Sequence, residues 1–312
     1  MRRVSKRGAS VLSFIVVLLL TIFAGYAAYR LGIIDQYLGP IAPPKKMPGL
    51  GEMRAYALSE INVERSKAGL RNVTLSQIDC AQGHADEMLK SRYLSHWGLN
   101  GSKPYMRYTS AGGRGMVAEN AAYISSTGSL DAYESIHKLN WDMVYNDSGS
   151  NWGHRDNMLN PEHNRVSIGV AFDGSILTLV QDFEDYYFTL AEVKQSGTAV
   201  SLTYASTIKG WRPEQVGVYY DPLPQPLTAE QLSNPPYNGS YGAGELVGGV
   251  VPQSYHLTQG ITVNASSWST SGSTFRASFD LGKIFSSRGL GVYTLYIADS
   301  SGTHTSVSVW NK

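Results

Sequence analysis

Two histidines and one glutamate are the residues of this sequence that offer the most chemistry. His154 lies in the stretch NWGHRDNMLNP, where a glycine precedes it and a proline ends the run within two helical turns. His96 and Glu119 lie earlier in the chain. Two neutral imidazoles and a carboxylate are a ligand set that zinc accepts, with a fourth position for water. The spacing of the three residues matches no metal-binding motif, so only the fold can bring them together.

Three kinds of site use such a set. In a metal site, zinc or another divalent cation would bind all three side chains, and its water could become a hydrolytic nucleophile. In a metal-free site, Glu119 would orient the imidazoles by hydrogen bonding. In a recognition cleft, the same groups would bind the polar end of a ligand. The residues alone leave these three alternatives open.

Other signatures of catalysis are missing or weak. The sequence contains no His-Glu-x-x-His and no Gly-x-Ser-x-Gly motif. Cys80 and His84 are four residues apart on one predicted helix and could pair, but we interpret them as a buried small residue and a satisfied histidine. His137 is predicted to be core or cleft wall, and His163 an exposed loop residue. Whether the protein is an enzyme is left open.

Composition points to an extracytoplasmic protein. The 312 residues predict two domains plus accessory segments, and 16% charged residues with a net charge of +1 argue against nucleic-acid binding. The single cysteine excludes an intrachain disulfide, which secreted animal and plant proteins of this size often have. We therefore expect a prokaryotic cell-surface protein.

The first fifty residues predict a membrane anchor. Residues 11–29 are an apolar run without a charge, near the length that spans a bilayer. Residues 1–10 form a basic tail, which favours a cytoplasmic N-terminus with the bulk of the chain outside. Residues 30–50 are proline-rich and predict a stalk. The alternative is a cleaved signal peptide. We predict a single-pass cell-membrane protein.

Residues 51–188 mix helical and strand patterns. Helices are predicted from about 53 to 68, from about 76 to 93, and after Ser129. The predicted apolar face of the first comprises Met53, Ala57, Ile61 and Ala68, and that of the second comprises Ile78, Ala81, Ala85 and Met88. Asp173-Gly174 between two apolar runs predicts a β-hairpin. The predicted apolar stripe of the third helix comprises Leu130, Tyr133, His137, Trp141 and Val144.

Residues 189–312 show short alternating runs separated by glycine, serine and asparagine, which predict an all-β sandwich-like domain. The fold class is therefore α+β. A structural role or adhesion to a surface partner is the function we expect of this second region.

Four segments of the first region resemble the CAP superfamily, which includes cysteine-rich secretory proteins, antigen 5 and plant pathogenesis-related proteins. They read INVERSKAGLRNVTLSQIDCAQGHADEML, YLSHWGLNGSKPYMR, VAENAAY, and GHRDNMLNPEHNRVSIGVAFDG followed by LVQDF. The likeness is greatest to the cysteine-poor prokaryotic branch. It implies an α-β-α sandwich with a central cleft, into which His96, Glu119 and His154 project as ligand-binding or metal-binding residues.

The sequence departs from the family pattern in two places. Ala118 precedes the glutamate where the family usually has glycine. A second acid that many eukaryotic members carry three residues after a helix tryptophan falls on Val144, if Trp141 is that tryptophan. Asp142 and Asp147 are nearby, but neither matches the position, so the resemblance transfers three residues and not four.

Together these observations predict a membrane-anchored, outward-facing CAP-like protein whose cleft binds a divalent metal, such as zinc, or a small ligand without catalysis. One alternative is a metal-dependent hydrolase of cell-surface peptide or ester bonds. Another is adhesion through residues 189–312. The partners we expect are the membrane and a surface glycan, lipid or protein, but no nucleic acid.

Overall fold

The structure, a computed structural model, describes residue 21, residues 47–300 and residues 302–312, and of residues 303 and 304 it describes the backbone alone. The predicted basic tail, most of the predicted anchor and most of the predicted stalk lie outside these described residues. Among the helices that are described, none is both long enough and apolar enough to cross a membrane.

The first helices lie close to their predicted places. Helix α1 (Leu50–Lys67) buries Met53, Ala57 and Ile61 along one side. Helix α2 (Ala81–Ser91) is shorter than the predicted range of about 76 to 93, because a loop over residues 76–80 separates it from the two-residue strand β1 (Thr74–Leu75). Its buried side includes Ala81, Ala85 and Met88, as the sequence predicts.

Three further helices flank the candidate residues. Helix α3 (Pro104–Ser110) was not predicted; it begins with proline, which lacks the N–H that a first turn leaves unpaired. Helix α4 (Ala132–Tyr145) is capped by Asp131 and not by Ser129. Helix α5 (Gly153–Met158) is the short helix at His154.

The predicted stripe of α4 was wrong by one residue. The helix buries Ile136, Leu139, Asn140 and Met143, whereas Trp141 is 46% exposed. Of the predicted stripe residues that lie within α4, only Val144 is buried. The polar Asn140 lies on the core side because Gln181 donates a hydrogen bond to it at 2.8 Å. A stripe chosen by hydrophobicity alone therefore selected the neighbouring face.

The central sheet of this region has the order β1-β3-β4-β2, with β2 (Met116–Ser125) at one edge. Strands β3 (Arg165–Phe172) and β4 (Ile176–Asp185) form the predicted hairpin, and Gly174 in its turn has a φ of 95°. One face of the sheet packs against α1 and α4, and the other packs against α2. This is a layered arrangement of helices on both sides of a sheet.

The rest of the chain forms two further sheets. One contains β5 (Phe188–Ser196), β6 (Ala199–Ser206), β10 (Ser267–Ser271) and β11 (Thr274–Asp280) in the order β10-β11-β6-β5. The other contains β7 (Gln215–Asp221), β8 (Glu245–Val251), β9 (Ile261–Asn264), β12 (Gly291–Asp299) and β13 (Gly302–Asn311) in the order β13-β12-β7-β8-β9. Both sheets contribute side chains to one hydrophobic cluster, in which Trp211 contacts Phe188, Tyr204 and Phe275.

This second region is not made of strands alone. Two short helices occur in it, α6 (Ala229–Leu232) and α7 (Gly282–Arg288). Strand β8 lies in a glycine-rich stretch whose composition predicts a loop. Gly248 is needed there, since a Cβ at this position would lie 2.3 Å from the carbonyl oxygen of Ile261 on the paired strand.

The two regions share hydrophobic contacts, and residues Pro48–Lys312 form one compact unit. Leu232 of α6 packs with Ala81, Ala85 and Met88 of α2. Val292 of β12 packs in a second shared cluster. The C-terminal region is therefore placed to contribute to a site on the first region.

Candidate functional site

One cavity of about 600 Å³ contains all three residues predicted from the sequence. Its walls come from the loop before α3, from β2, from the turn that leads into α5, and from residues 238–241 of the C-terminal region. The lining residues are Leu94, Ser95, His96, Ala118, Glu119, Asn120, Ala121, Gly149, Ser150, Asn151, Gly153, His154, Asn157, Asn238, Gly239, Ser240 and Tyr241. The structure thus places His96, Glu119 and His154 in one cavity, whereas their ligand-binding role stays a prediction.

Glu119 is held by two partners at once. It is a buried residue on β2, and its Oε1 lies 2.9 Å from Nδ1 of His96. Its Oε2 accepts a hydrogen bond from Nη2 of Arg107 at 2.5 Å. Burial raises the pKa of Glu119, but the Arg107 guanidinium acts together with His84 and His96 to lower it to about 2. Glu119 is therefore an ionised carboxylate with both oxygens engaged.

Arg107 joins the loop around His96 to the strand. Its Nη1 donates to the carbonyl oxygens of His96 and Ser102, each at 2.9 Å. The guanidinium therefore fixes the backbone of His96 and the carboxylate that contacts the His96 ring. Sequence reasoning missed this residue, since an arginine on a short helix carries no signal of its own.

Asp182, beside Glu119 on the paired strand, keeps the opposite protonation state. Burial and the charge of Glu119 raise the pKa of Asp182 well above its usual range. Its Oδ2 accepts a hydrogen bond from the thiol of Cys80 at 3.0 Å. Glu119 and Asp182 face each other in the register of β2 and β4, and Arg107 stabilises the charge on Glu119, so Asp182 is the acid that keeps its proton.

The imagined pairing of Cys80 with His84 does not form. Burial raises the pKa of the Cys80 thiol, and its partner is Asp182. Nε2 of His84 lies 2.8 Å from the carbonyl oxygen of Ser95, and burial lowers the pKa of His84 to about 4. Cys80 is buried, as the sequence interpretation held, whereas His84 is only partly satisfied, since its buried Nδ1 has no hydrogen-bond partner among the described residues.

His154 is held by an acid that the sequence analysis did not select. Oδ1 of Asp147 lies 2.7 Å from Nδ1 of His154, while Oδ2 accepts hydrogen bonds from the backbone N–H groups of His154 and Arg155 at 2.9 and 3.1 Å. Burial raises the pKa of Asp147, but hydrogen bonds from Ser150, His154 and the Arg155 backbone lower it overall. Asp147 was set aside because it did not match a family position, and it lies five residues before Trp152, the residue that immediately precedes α5, so its place in the sequence gives no capping signal.

Both imidazoles thus bind an ionised carboxylate through Nδ1. A carboxylate without a proton can only accept, so each neutral ring must carry its proton on Nδ1 and a lone pair on Nε2. Neither Nε2 has a hydrogen-bond partner among the described residues. Neither Nε2 is a fully buried atom. The Nε2 atoms of His96 and His154 are therefore open acceptors at one cavity.

Two other histidines differ from their predictions. His137 was predicted to be core or cleft wall, but its side chain is 57% exposed and Nδ1 lies 2.6 Å from Oε2 of Glu60. His163 was predicted to be exposed, but it is 4% exposed, with Nδ1 2.5 Å from Oδ1 of Asp185. Both errors arise because loop and helix-face exposure depend on packing partners distant in sequence.

His163 belongs to a relay of amides behind the cleft. Its Nε2 lies 2.8 Å from Oδ1 of Asn157, whose Nδ2 donates to Oδ1 of Asn120 at 2.9 Å. Nδ2 of Asn120 then donates to the carbonyl oxygen of His154 at 3.0 Å. The relay fixes the first turn of α5, which agrees with the structural role expected of the buried Asn120.

The arrangement does not fit a metal held by all three predicted ligands. Within residue 21, residues 47–300 and residues 302–312, no group of three or more His, Cys, Asp or Glu side chains is placed to share one ion. To become a ligand, Glu119 would have to exchange Arg107 or His96 for the metal.

Comparison with known proteins agrees with this fold. Residues 58–189 match the family model of the cysteine-rich secretory protein family, CAP. A search among curated proteins found no match. Residues 58–189 are thus a CAP domain, as the four sequence segments indicate.

Two solved structures that match part of the chain are an enterococcal protein, titled "CAP domain of Enterococcal PrgA", and one titled "Crystal structure of NaASP2 with Zn2+". Each is 14% identical with a TM-score of 0.29; the matches cover 41% and 45% of this chain. This chain spans 58% of the PrgA chain and 84% of the NaASP2 chain. Likenesses at this level do not assign site residues.

Proposed function

We propose that the cleft of this CAP domain binds a small, uncharged, polar ligand through the Nε2 atoms of His96 and His154. The observation that carries the proposal is the pairing of each Nδ1 with a buried, ionised carboxylate, at 2.9 Å for Glu119 and 2.7 Å for Asp147. Such pairing fixes the tautomer and orientation of a ring, and it makes Nε2 a better acceptor. A ligand with two hydroxyl groups, or with one primary amide, could donate to both rings.

The charge balance of the cavity supports an uncharged ligand. Among the lining residues, Glu119 is the one carboxylate, and both its oxygens are engaged by His96 and Arg107. Burying an ionic ligand without a free counter-charge is costly, whereas a neutral polar group needs only hydrogen bonds. The side chain of Asn151 and the hydroxyl of Ser240 also line the cavity and have no hydrogen bond to any described residue. A surface glycan or an amide-containing fragment has the matching chemistry.

A serine-dependent hydrolase, which differs from the metal-dependent hydrolase predicted from the sequence, receives little support from this geometry. A serine nucleophile would have to contact the imidazole nitrogen opposite the one that binds aspartate. Ser150 instead lies 3.0 Å from Nδ1 of His154, and it also donates to Asp147. Serine and aspartate therefore share one side of the ring, and the serine is not activated.

A divalent cation is our second proposal for the same site. Zinc-binding histidines usually donate their other ring N–H to a carboxylate, which is the arrangement that Glu119 and Asp147 give here. His96 and His154 would then be the ligands, and Glu119 would act through His96. This differs from the sequence prediction, in which Glu119 is a ligand itself.

The binding test compares histidines inside and outside the cavity. The full chain would be labelled with ¹⁵N-histidine and titrated with neutral oligosaccharides, small amides and, separately, Zn²⁺. We expect one class to shift the His96 and His154 resonances, and His96→Ala and His154→Ala to weaken binding at least tenfold. His137→Ala, which removes an exposed imidazole, is the matched control. Equal binding by all three variants would contradict the proposal.

Glu119→Gln separates the two metal geometries. If His96 and His154 are the ligands, loss of a carboxylate behind one of them should weaken zinc binding by about 10–100-fold. If Glu119 is itself a ligand, zinc binding should fall as far as in His96→Ala. No zinc binding by the wild-type protein would remove the second proposal and leave the first.

We also propose that residues 11–29 anchor the protein, with the CAP domain and residues 189–312, as a β-rich accessory domain, outside the cell. The support is the uncharged apolar run after a basic tail in the sequence. An anchored chain should stay with membranes in high salt and be released by detergent. Release by salt alone would contradict the proposal. Adhesion through residues 189–312 stays a prediction from the sequence.

A further inference from the structure

One wall of the cleft comes from outside the CAP domain. Residues 238–241, which lie between α6 and β8 in the C-terminal region, line the cavity beside His96 and Glu119. A segment far along the chain from the CAP motifs therefore meets the residues that those motifs supply.

Tyr241 contacts both of the CAP residues on this side. Its ring centroid lies 4.9 Å from that of His96, with 58° between the planes. Its hydroxyl accepts a hydrogen bond from the backbone N–H of Glu119 at 3.0 Å. Strand β2 is at the edge of its sheet, so this N–H has no neighbouring strand to bind, and the phenol takes that place. The side chain thus fixes the ring of His96 and the backbone of Glu119.

The hydroxyl of Tyr241 is protonated and can donate a hydrogen bond to a ligand. Burial and the charge of Glu119 raise the pKa of Tyr241, so the phenol is neutral. While it accepts from Glu119, it donates to no described residue. The lining residues of the cavity therefore include a hydroxyl donor as well as the two Nε2 acceptors, and recognition of a neutral hydroxyl or amide uses both kinds of group.

The segment around Tyr241 is fastened to the CAP domain on both sides. Before it, the hydroxyl of Ser95 donates to the carbonyl oxygen of Tyr237 at 2.6 Å. After it, the carbonyl oxygen of Gly242 accepts from Nζ of Lys103 at 3.0 Å and from the hydroxyl of Tyr105 at 3.2 Å. These contacts hold residues 237–242 as a fixed wall.

We propose that residues 238–241 complete the ligand site and that Tyr241 is its positioning and specificity-determining residue. It orients His96 and Glu119, offers a hydroxyl donor, and limits access to Nε2 of His96. The inference rests on the proposed ligand-binding function of the cleft. It means that the CAP domain alone lacks part of its own site.

Chemical modification of single histidines tests the proposal without a known ligand. Diethyl pyrocarbonate acylates unprotonated imidazole nitrogens, and peptide mass spectrometry gives a rate for each histidine. In the full chain, Tyr241→Ala should raise the rate at His96 at least fivefold and leave His154 within twofold. The exposed His256 gives the reference rate, and Tyr255→Ala, at a tyrosine that is 64% exposed, is the matched control.

Tyr241→Phe keeps the ring and removes the hydroxyl, so it protects the test against a variant that fails to fold. The His96 rate should stay within twofold of wild type, while hydrogen exchange at the Glu119 amide should increase at least tenfold. An unchanged His96 rate in folded Tyr241→Ala, or unchanged Glu119 exchange in Tyr241→Phe, would overturn the proposal. Neither readout depends on ligand, so a failed ligand screen would count against the proposed function alone.

Discussion

The two sides of the cleft hold their histidines by the same contact but in different surroundings. On the strand side, His96 binds Glu119, a buried carboxylate whose charge is balanced by Arg107. On the loop side, His154 binds Asp147, whose second oxygen accepts two backbone N–H groups at the start of α5. A side-chain cation stabilises one acid, and backbone dipoles stabilise the other. The orientation and tautomer of each histidine therefore depend on the acid that binds its Nδ1. A sequence motif that contains the histidine need not include that acid.

The largest expected effect concerns the strand side. Arg107→Ala leaves the Glu119 charge buried without its counter-ion, so we expect the free energy of unfolding to fall by about 3–5 kcal/mol. Denaturant unfolding of the full chain measures this. Arg54→Ala is the control, because Arg54 pairs with the 58%-exposed side chain of Asp79, and an exposed pair contributes about 1 kcal/mol or less. Equal losses in the two variants would show that Arg107 and Glu119 are not the buried pair described.

On the loop side we expect a smaller loss of stability and a clear change in the tautomer of the His154 ring. Asp147→Ala removes the acceptor for two backbone N–H groups, which should cost about 1–2 kcal/mol. It also frees His154 to move its proton to Nε2, and ¹⁵N spectra of the neutral ring report this. Asp156→Ala, at an exposed acid on the same helix, should change neither quantity by much. An unchanged His154 spectrum in Asp147→Ala would show that Asp147 does not set the tautomer.

Much of the fold follows from local patterns, whereas the partners of the site residues do not. The faces of α1 and α2 and the Asp173-Gly174 turn are local signals, and the structure has them where they are predicted. The α4 stripe fails because a hydrogen bond from Gln181 makes the polar Asn140 a core residue. No local pattern can report such a long-range contact.

The residues of the candidate site also divide into those that the sequence predicts and those that it does not. His96, Glu119 and His154 could be selected by motif, and the cavity contains all three. Arg107 carries no motif signal, and Tyr241 is brought to Glu119 by a fold contact across 122 residues of sequence. Asp147 carries no local signal either, because it lies six residues before the first residue of α5 and reaches the N–H groups of His154 and Arg155 across the intervening turn.

Glu119 and Asp182, the two buried acids on the strand side of the cleft, make opposite contributions to the pH dependence of folding stability. The folded pKa of Glu119, about 2, is below its ordinary 4.5, so its contribution is present above pH 4.5 and is lost as the pH falls towards 2. The folded pKa of Asp182 is raised, so its proton stabilises the fold at low pH, and this contribution is lost as the pH rises above the ordinary value of 3.8.

Asp182→Asn mimics the protonated acid and should remove the second effect. We expect its stability relative to wild type to increase as the pH rises above 3.8, and the gain should be complete once the folded pKa is passed. Denaturant midpoints between pH 4 and 8 measure this difference. A difference that does not change with pH would show that Asp182 titrates normally in the folded protein.

The protonation of the two cleft imidazoles tests the central claim most directly. Long-range ¹H–¹⁵N spectra of the ¹⁵N-histidine-labelled full chain, recorded at the high-pH end of a titration without added ligand or metal, distinguish Nδ1–H from Nε2–H in each neutral ring. We predict that His96 and His154 both carry the proton on Nδ1 and keep an unprotonated Nε2. A proton on Nε2 in either ring would contradict the account, because that ring could then offer the cleft no acceptor.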